Sequence, residues 1–496
     1  MSNCCSNVNG VSSEVAGPRR SLLRRGPVAT PSKPAGRAER APQAPDLANR
    51  SSSSPHTFSS LSSDQKSDDS SPFHSTAHEA ESRVVARAKA HNLRTDLRKM
   101  VDDIHKPLSL CGLGCKPSAG GQPGEISLKI EAGSARLSGT TRCSSPWSCP
   151  VCAPALADQR AIALQPQIEG MIAAGYTAWL MTLTVRHRRE SALDDLFKLQ
   201  VKAWAKVTSG KVWQSWRATG DIEYVRGFDC THGEDFGWHP HIHLMTLIGP
   251  GHHDPEALAE KIKARWLAAC QSVGLNALDS GQDVERIDDP ARAARYAVSP
   301  AAVYEAHAMA KKRARGEGHG LTPMEILERA VDERMERAER AEARGVEIYK
   351  EKMGPWELLF REYVSATKGL HQCSTSRKLD LNPDREPEDK DAIDESKPED
   401  TLQEPTGGLK LATLGLETMR RLDRQKAIPG LLQVAEIGLE HMARLREIER
   451  YLNGILPALS DRCDWKIVWP PKSKEAAVQA LTIEERIRKR DAEIPM

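Results

Sequence analysis

The stretch GWHPHIHLMTLI, Gly237 to Ile248, limits what this chain can fold into more than any other. Side chains along a strand alternate between two faces, so His239, His241 and His243 share one face and apolar residues take the other. A buried neutral imidazole needs hydrogen-bond partners, and one histidine on an apolar strand can find them within a core. Three on a single face are harder to satisfy that way. Two histidines at i, i+2 aim two nitrogens at one point just off the sheet. That suits a divalent cation whose other positions are filled by water or phosphate oxygens. A further protein ligand must come from a neighbouring strand. DIEYVRGFD reads as that strand, with Glu223 as the first candidate and His239 and Asp229 behind it.

The rest of the chain organises around this strand. WLMTLTVRH, within Thr177–His187, is a second β candidate. Helical patterns lie on either side, in ADQRAIALQPQIEGMIAAG, over residues 191–217, and in DPEALAEKIKARWLAACQSVG with its acidic start. The expected architecture is α+β, a small sheet covered by helices on one side, at about 155–320. Five regions are expected: a Ser/Pro/Arg-rich disordered tail at 1–82; a helix and cysteine segment at 83–154; the main domain at 155–382; an acidic linker at 383–406; and a helical region at 407–496. The tail has too little apolar residue to offset chain entropy. The linker holds ten acids against three bases between Pro383 and Pro405. ILERAVDERMERAERAEARGVEIYK, from Ile326, reads as a solvated helix with i, i+4 ion pairs.

With 70 basic and 68 acidic residues the net charge is only +2, so overall charge does not announce a nucleic-acid partner. No apolar run is long enough to span a membrane, and the arginine pairs near the N-terminus lead into no apolar stretch, so a cytoplasmic protein without membrane association is expected. In such a compartment eleven cysteines point to metal or incidental thiols rather than a disulfide framework. RCSSPWSCPVC carries a CxxC, which lets two thiolates reach one tetrahedral ion from a turn. Cys111, Cys143, Cys149 and Cys152 form the preferred set for a structural Zn²⁺, with Cys115 able to replace one member. Four sulfurs leave no open coordination position, so the site reads as structural.

HPHIHL resembles the His-hydrophobic-His motif of the HUH endonucleases. The ordered set RCSSPWSCPVC, WLMTLTV, IEYV, GWHPHIHLMTL and ARAARYAVSPA is similar to that of bacterial plasmid rolling-circle replication initiators. GLTPMEIL and FREYVSATKGLHQCSTSRKLDL resemble closing segments of that family, so the likeness runs from about Cys111 to Leu381. It implies an HUH-type antiparallel sheet with covering helices, His241 and His243 as ligands of Mg²⁺ or Mn²⁺, Glu223 as the third ligand, and Tyr296 as the nucleophile. The family often has Tyr-x-x-Lys. Here the fourth position is Ser299, and Arg292 and Arg295 are the nearby cations that could contact DNA instead. Tyr304 is a second tyrosine to weigh.

The implied reaction is nicking and rejoining of single-stranded origin DNA through a 5′-phosphotyrosine, leaving a 3′-hydroxyl primer. Plasmid origin DNA, host helicase and host polymerase are the implied partners. Basic runs VRHRR and KKRAR are further candidates for DNA contact; Trp204, Trp213, Trp216 and Trp238 could stack on bases, with core packing the preferred reading for the helical tryptophans and Trp238 left open. Two alternatives stay open: a related relaxase or transposase, and a non-catalytic zinc-containing DNA-binding protein.

Overall fold

The computed structural model describes residues 77–116, 124–298, 320–348, 352–381, 402, 407–456 and 464–470. The tail before residue 77, most of the acidic linker, KKRAR, Ser299 and Tyr304 lie outside the described residues. Among the described residues the chain is α+β, with two antiparallel sheets.

The main sheet has the order β6-β3-β5-β4-β7. Its strands are β3 (Thr177–Thr184), β4 (Glu223–Gly233), β5 (Gly237–Ile248), β6 (Asp283–Ile287) and β7 (Cys373–Thr375). All its pairings are antiparallel. Alternation divides each strand cleanly. Trp179, Met181 and Leu183 of β3, with Ile242 and Leu244 of β5 and Phe228 of β4, face the larger core. Helices α4 (Leu193–Val207), α6 (Pro255–Ser272), α8 (Pro323–Ala343) and α9 (Pro355–Thr367) close that core with Phe197, Trp204, Ile262, Trp266, Leu327 and Phe360. Fully burying a side chain such as Phe197 or Leu244 contributes up to roughly 3 kcal/mol, which makes this face the main source of stability.

The opposite face is covered over only part of its length. There α3 (Cys152–Ala173) and α7 (Pro290–Val298) pack on Ala178, Leu180, Val225, Met245 and Leu247. Helices therefore lie on both sides of the sheet, and not on one as the sequence had suggested. Among the described residues, the apolar cluster of this second face does not extend to the stretch where β5 carries its histidines, which are half-buried.

Local signals account for the helix starts. Asp254 caps α6 by accepting from the Ala257 amide at 2.9 Å, with Pro255 in the first turn. Asp289 does the same for α7, accepting from Ala291 and Arg292 at 2.9 and 3.2 Å. A reciprocal Thr322–Glu325 box starts α8. This last helix is only in part the solvated element its charge suggested. Ile326, Leu327 and Ala330 are buried, and Arg334 and Arg337 reach across to the buried Glu357 of α9. These two arginines pair across to α9, while the helix's outer face is solvated and carries the i, i+4 pair of Arg340 with Glu336.

The second sheet has the order β2-β1-β8-β9. Strands β1 (Ile126–Glu131) and β2 (Ser134–Ser138) form a hairpin, while β8 (Leu409–Leu414) and β9 (Trp465–Ile467) come from the far end of the chain. The hairpin turns on Ala132 and Gly133 with φ of +47° and +79°, the two-residue geometry that matches strand twist. Helices α10 (Leu416–Arg424), α11 (Ile428–Glu436) and α12 (His441–Ile455) cover it with Met419, Leu431, Leu445 and Ile448. The region after the acidic stretch thus supplies strands as well as the expected helices. It shares one core with residues 126–138. Helix α1 (Ala77–Val101) clamps this unit: Arg98 bonds Asp423, and Arg87 bonds Glu436. No helix of the described residues is long and apolar enough to cross a membrane.

Candidate metal and phosphodiester site

The open end of the sheet gathers the chemistry. Pairing sets Thr182 opposite His243 and Thr184 opposite His241 on one side of β5. On the other side β4 sets Asp229 opposite His241 and Gly227 opposite His243. Gly227 places no side chain on this face, so Asp229 reaches both imidazoles. Ligand atoms of Asp229, His241 and His243 all lie within 4.8 Å of one another.

The hydrogen bonds around the cluster leave its inner atoms facing one another. The His241 Nδ1–H donates to the His239 carbonyl at 3.2 Å, which turns the lone pair of Nε2 inward. Asp229 Oδ1 accepts from the Cys230 amide at 2.7 Å, leaving Oδ2 to face both Nε2 atoms at 3.7 Å each. These separations are too long for hydrogen bonds. They are close to the roughly 3–3.5 Å between neighbouring ligands on one ion with bonds of about 2.1 Å. The two nitrogens and one carboxylate oxygen could hold a divalent cation. Burial, then the His243 ring beside it, pulls His241 down to about 4, so it is a neutral ligand at physiological pH.

Tyr296 closes the site from above. Helix α7 presses small residues, Ala293 and Ala294, onto the sheet and α3, which lets the helix approach closely enough for the phenol to reach the strands. The Tyr296 ring meets His243 edge-on with centroids 4.7 Å apart, and its hydroxyl is 2.5 Å from the Thr182 hydroxyl. Burial raises the phenol to about 12, with the Thr182 bond opposing the shift and the nearby acids Asp283 and Glu285 adding to it.

Glu223 must be corrected. It lies on the same face of β4 as Asp229 but pairs with Leu247, six residues along, about 20 Å away at ~3.3 Å per residue. There it is buried, accepts from the Lys378 amide at 3.3 Å and faces Arg217 at 3.8 Å. Asp229, ranked behind it from sequence, takes its place in the cluster. Asp229→Asn is expected to weaken Mn²⁺ binding at least ~100-fold, a loss of ~2.7 kcal/mol, because a charged ligand is removed. Glu223→Gln should leave that affinity unchanged. Calorimetric titration of both variants checks this, and equal losses would overturn the assignment.

The other sequence candidates divide. Arg292 forks onto Glu285 at 3.0 and 2.9 Å on the exposed face of α7, and Arg295 is exposed. Trp204, Trp213 and Trp238 are core residues, and Trp238 stacks on Tyr363. They are not surfaces for bases. Thr182 was missed, although its position in TLT, opposite the second histidine, becomes telling once the register is known.

A second cluster sits where α2 (Lys106–Ser109), the loop after β2 and the start of α3 meet. The sulfurs of Cys111, Cys143, Cys149 and Cys152 lie within 4.8 Å of one another. Cys115 is apart, bridged through its backbone to Thr140. Amides of Ser145 and Cys152 point at the sulfurs of Cys143 and Cys149 at 3.5 and 3.3 Å. Bonds from the other three thiols, with Arg94 nearby, hold Cys111 well below an ordinary thiol, while burial pushes Cys149 well above. Four thiols this close cannot all ionise without a cation between them. The donor set, four sulfurs at tetrahedral reach, could hold a zinc ion.

Residues 134–271 match the family model described as replication protein, a span that takes in three of the four cysteines and the whole histidine strand. With the motif order, this match supports a plasmid replication initiator. The chain is 27% identical to Protein rep of Streptomyces lividans over 309 residues, 52% of this chain and 66% of that protein. It is also 27% identical, over 151 residues, to a protein of Streptomyces cyanogenus named Neomycin resistance protein, covering 25% of this chain and 35% of that one. The alignments thus span just under two thirds and about a third of those relatives. No solved structure matches the chain. Tyr296 and Cys111 fall outside the matched family span.

Proposed function

We propose that this chain initiates rolling-circle replication of a plasmid in the cytoplasm. It nicks and rejoins one strand of origin DNA through a phosphotyrosine at Tyr296. The observation that carries this reading is the Tyr296 phenol seated against His243, at the rim of the Asp229–His241–His243 cluster.

A phosphodiester resists attack because its oxygens are anionic. A Mg²⁺ or Mn²⁺ held by His241, His243 and Asp229 would supply positive charge to those oxygens and favour the phenolate. The chain does the rest. Asp229, 3.7 Å from both imidazoles, would neutralise part of the cation's charge. Thr182 holds the phenol in one rotamer, so that its oxygen faces the phosphorus. Arg295, exposed on the same helix, would contact the backbone of the DNA. As Tyr296 Oη bonds to phosphorus its proton passes to solvent, the P–O3′ bond breaks, and the departing 3′-oxygen takes a proton from solvent. The energy of the broken bond is kept in the phosphotyrosine, so a later 3′-hydroxyl can reverse the step. The released 3′-hydroxyl primes a host polymerase, and a host helicase is the expected companion.

The test is incubation of the purified chain with labelled single-stranded origin oligonucleotide and Mn²⁺. An SDS-stable protein–DNA adduct is expected, and EDTA should abolish it. If no adduct forms under any divalent ion, the reading fails and a DNA-binding protein without nicking activity replaces it. Thr182→Val removes the hydroxyl at nearly constant volume. It should slow single-turnover adduct formation ~10-fold, within the range for a misplaced reacting group, without changing oligonucleotide affinity. An unchanged rate would remove Thr182 from the site.

A further inference from the structure

Beside the histidine cluster, at the end of β5 away from Tyr296, the fold leaves a cavity of about 430 Å³. It is lined by Thr184, Arg186, His187, Phe236 and His239, among others, and by the glycines Gly237 and Gly281. Thr184 is the strand partner of His241, so the cavity lies next to the Asp229–His241–His243 cluster, with Thr184 and His239 between them. Phe236 sits at the tip of the β4–β5 hairpin and is 71% exposed, unusual for a phenyl ring with a packed core close by. His187 and His239 hold each other across the cavity wall, Nε2 to Nδ1 at 2.9 Å. Gly237 is obligatory: its φ is +70°, and a Cβ there would come within 2.6 Å of the Arg189 carbonyl.

The rings of Tyr296, His243, His241 and His239 run in a row along β5, with centroids 4.7, 4.8 and 5.6 Å apart in turn. The nucleophile stands at one end and the cavity at the other. In an in-line displacement the attacking and leaving oxygens lie on opposite sides of phosphorus. The strand whose 3′-oxygen departs must therefore extend away from Tyr296, toward His239.

We infer that this cavity is the subsite for the nucleotide immediately 5′ of the nick, with Phe236 as the ring on which its base stacks and Arg186 as the cation for its phosphate. This deepens the nicking reading and rests on it. The volume falls within the roughly 300–1,000 Å³ of small-ligand pockets. A flat base against a phenyl ring, hydroxyls at Thr184 and Thr231, and an arginine in the lining together match a nucleotide better than an apolar ligand. The two glycines let a sugar approach the backbone closely.

The test is a coupling experiment on adduct formation. Oligonucleotides spanning the nick carry an abasic site on either its 5′ or its 3′ side, and are given to wild-type protein and to Phe236→Ala. On the intact oligonucleotide Phe236→Ala is expected to be ~10-fold slower, the scale of one lost stacking contact. An abasic site 5′ of the nick should slow the wild type by the same factor and leave Phe236→Ala unaffected. An abasic site 3′ of the nick should slow both equally. Equal sensitivity of both proteins to the 5′ abasic site would overturn the assignment, as would coupling to the 3′ side. If the wild type forms no adduct at all, the nicking reading has failed separately. The pocket is then judged by fluorescence anisotropy with dT12: weaker binding by Phe236→Ala and Arg186→Ala supports a nucleotide site, and unchanged binding refutes it.

Discussion

Tyr296→Phe is expected to lose the covalent DNA adduct completely, at least ~10⁴-fold below wild type, since no other atom on that helix can form the phosphodiester. The variant should fold. Its ring still packs against His243, and only the bond to Thr182 disappears, worth about 1 kcal/mol. Oligonucleotide affinity should therefore stay near wild type while the adduct vanishes on a denaturing gel. That split separates a nucleophile from a packing residue. Tyr304 provides the counter-test. If Tyr296→Phe kept the adduct and Tyr304→Phe lost it, the role would pass to Tyr304, and the seating of Tyr296 against His243 would be packing alone.

The second large effect concerns the sulfur cluster. Wild-type protein is expected to contain one zinc per chain, and Cys149→Ser to contain none. Cys149 is fully buried between Cys111 and the first turn of α3. Structural zinc sites in small modules are worth on the order of 10 kcal/mol of folding free energy, so even a fraction of that would lower the melting temperature by many degrees. The damage should spread, because the Cys111 carbonyl also accepts from Arg98, which ties α1 to Asp423 of the second sheet's helices. Cys115→Ser is the control and should keep its zinc, because Cys115 stands outside the cluster. Metal analysis together with a thermal melt reads both outcomes. A full zinc complement in Cys149→Ser, or none in wild type, would remove the metal from the account.

The two sites were legible in the sequence to different depths. The shared face of His241 and His243 follows from strand alternation alone, and the CxxC pair from turn geometry. Both are local properties, set within a few residues. Strand β3 and helices α3, α4 and α6 were readable for the same reason, as local apolar periodicities, with a side-chain cap marking the start of α6. Short strands were not. Asp283–Ile287 is mostly exposed and too brief to show a pattern, and Cys373–Thr375 is only three residues long. GLKLATL lay beside a helical pattern that masked it. The solvated reading of the charged helix α8 held for its outer face only, because charges count equally in the sequence whether they meet water or the buried Glu357.

The third ligand shows where local reading stops. Glu223 and Asp229 occupy one strand face and carry the same chemical group, so strand periodicity cannot choose between them. The choice is made by the register of β4 against β5, which puts Asp229 opposite His241 and Glu223 opposite Leu247.

By itself, then, the sequence determined which residue types would share a face, where two thiols could meet one ion, and the α+β class, because these depend on spacings of two to four residues. Tertiary structure alone decided that Asp229 joins the histidines, that Tyr296 arrives against His243 and Thr182, and that residues 126–138 build one sheet with residues 409–467. Each of those depends on strand pairing and helix packing between segments far apart in the chain, where the stabilising term is burial of apolar surface, and burial carries no information about sequence distance.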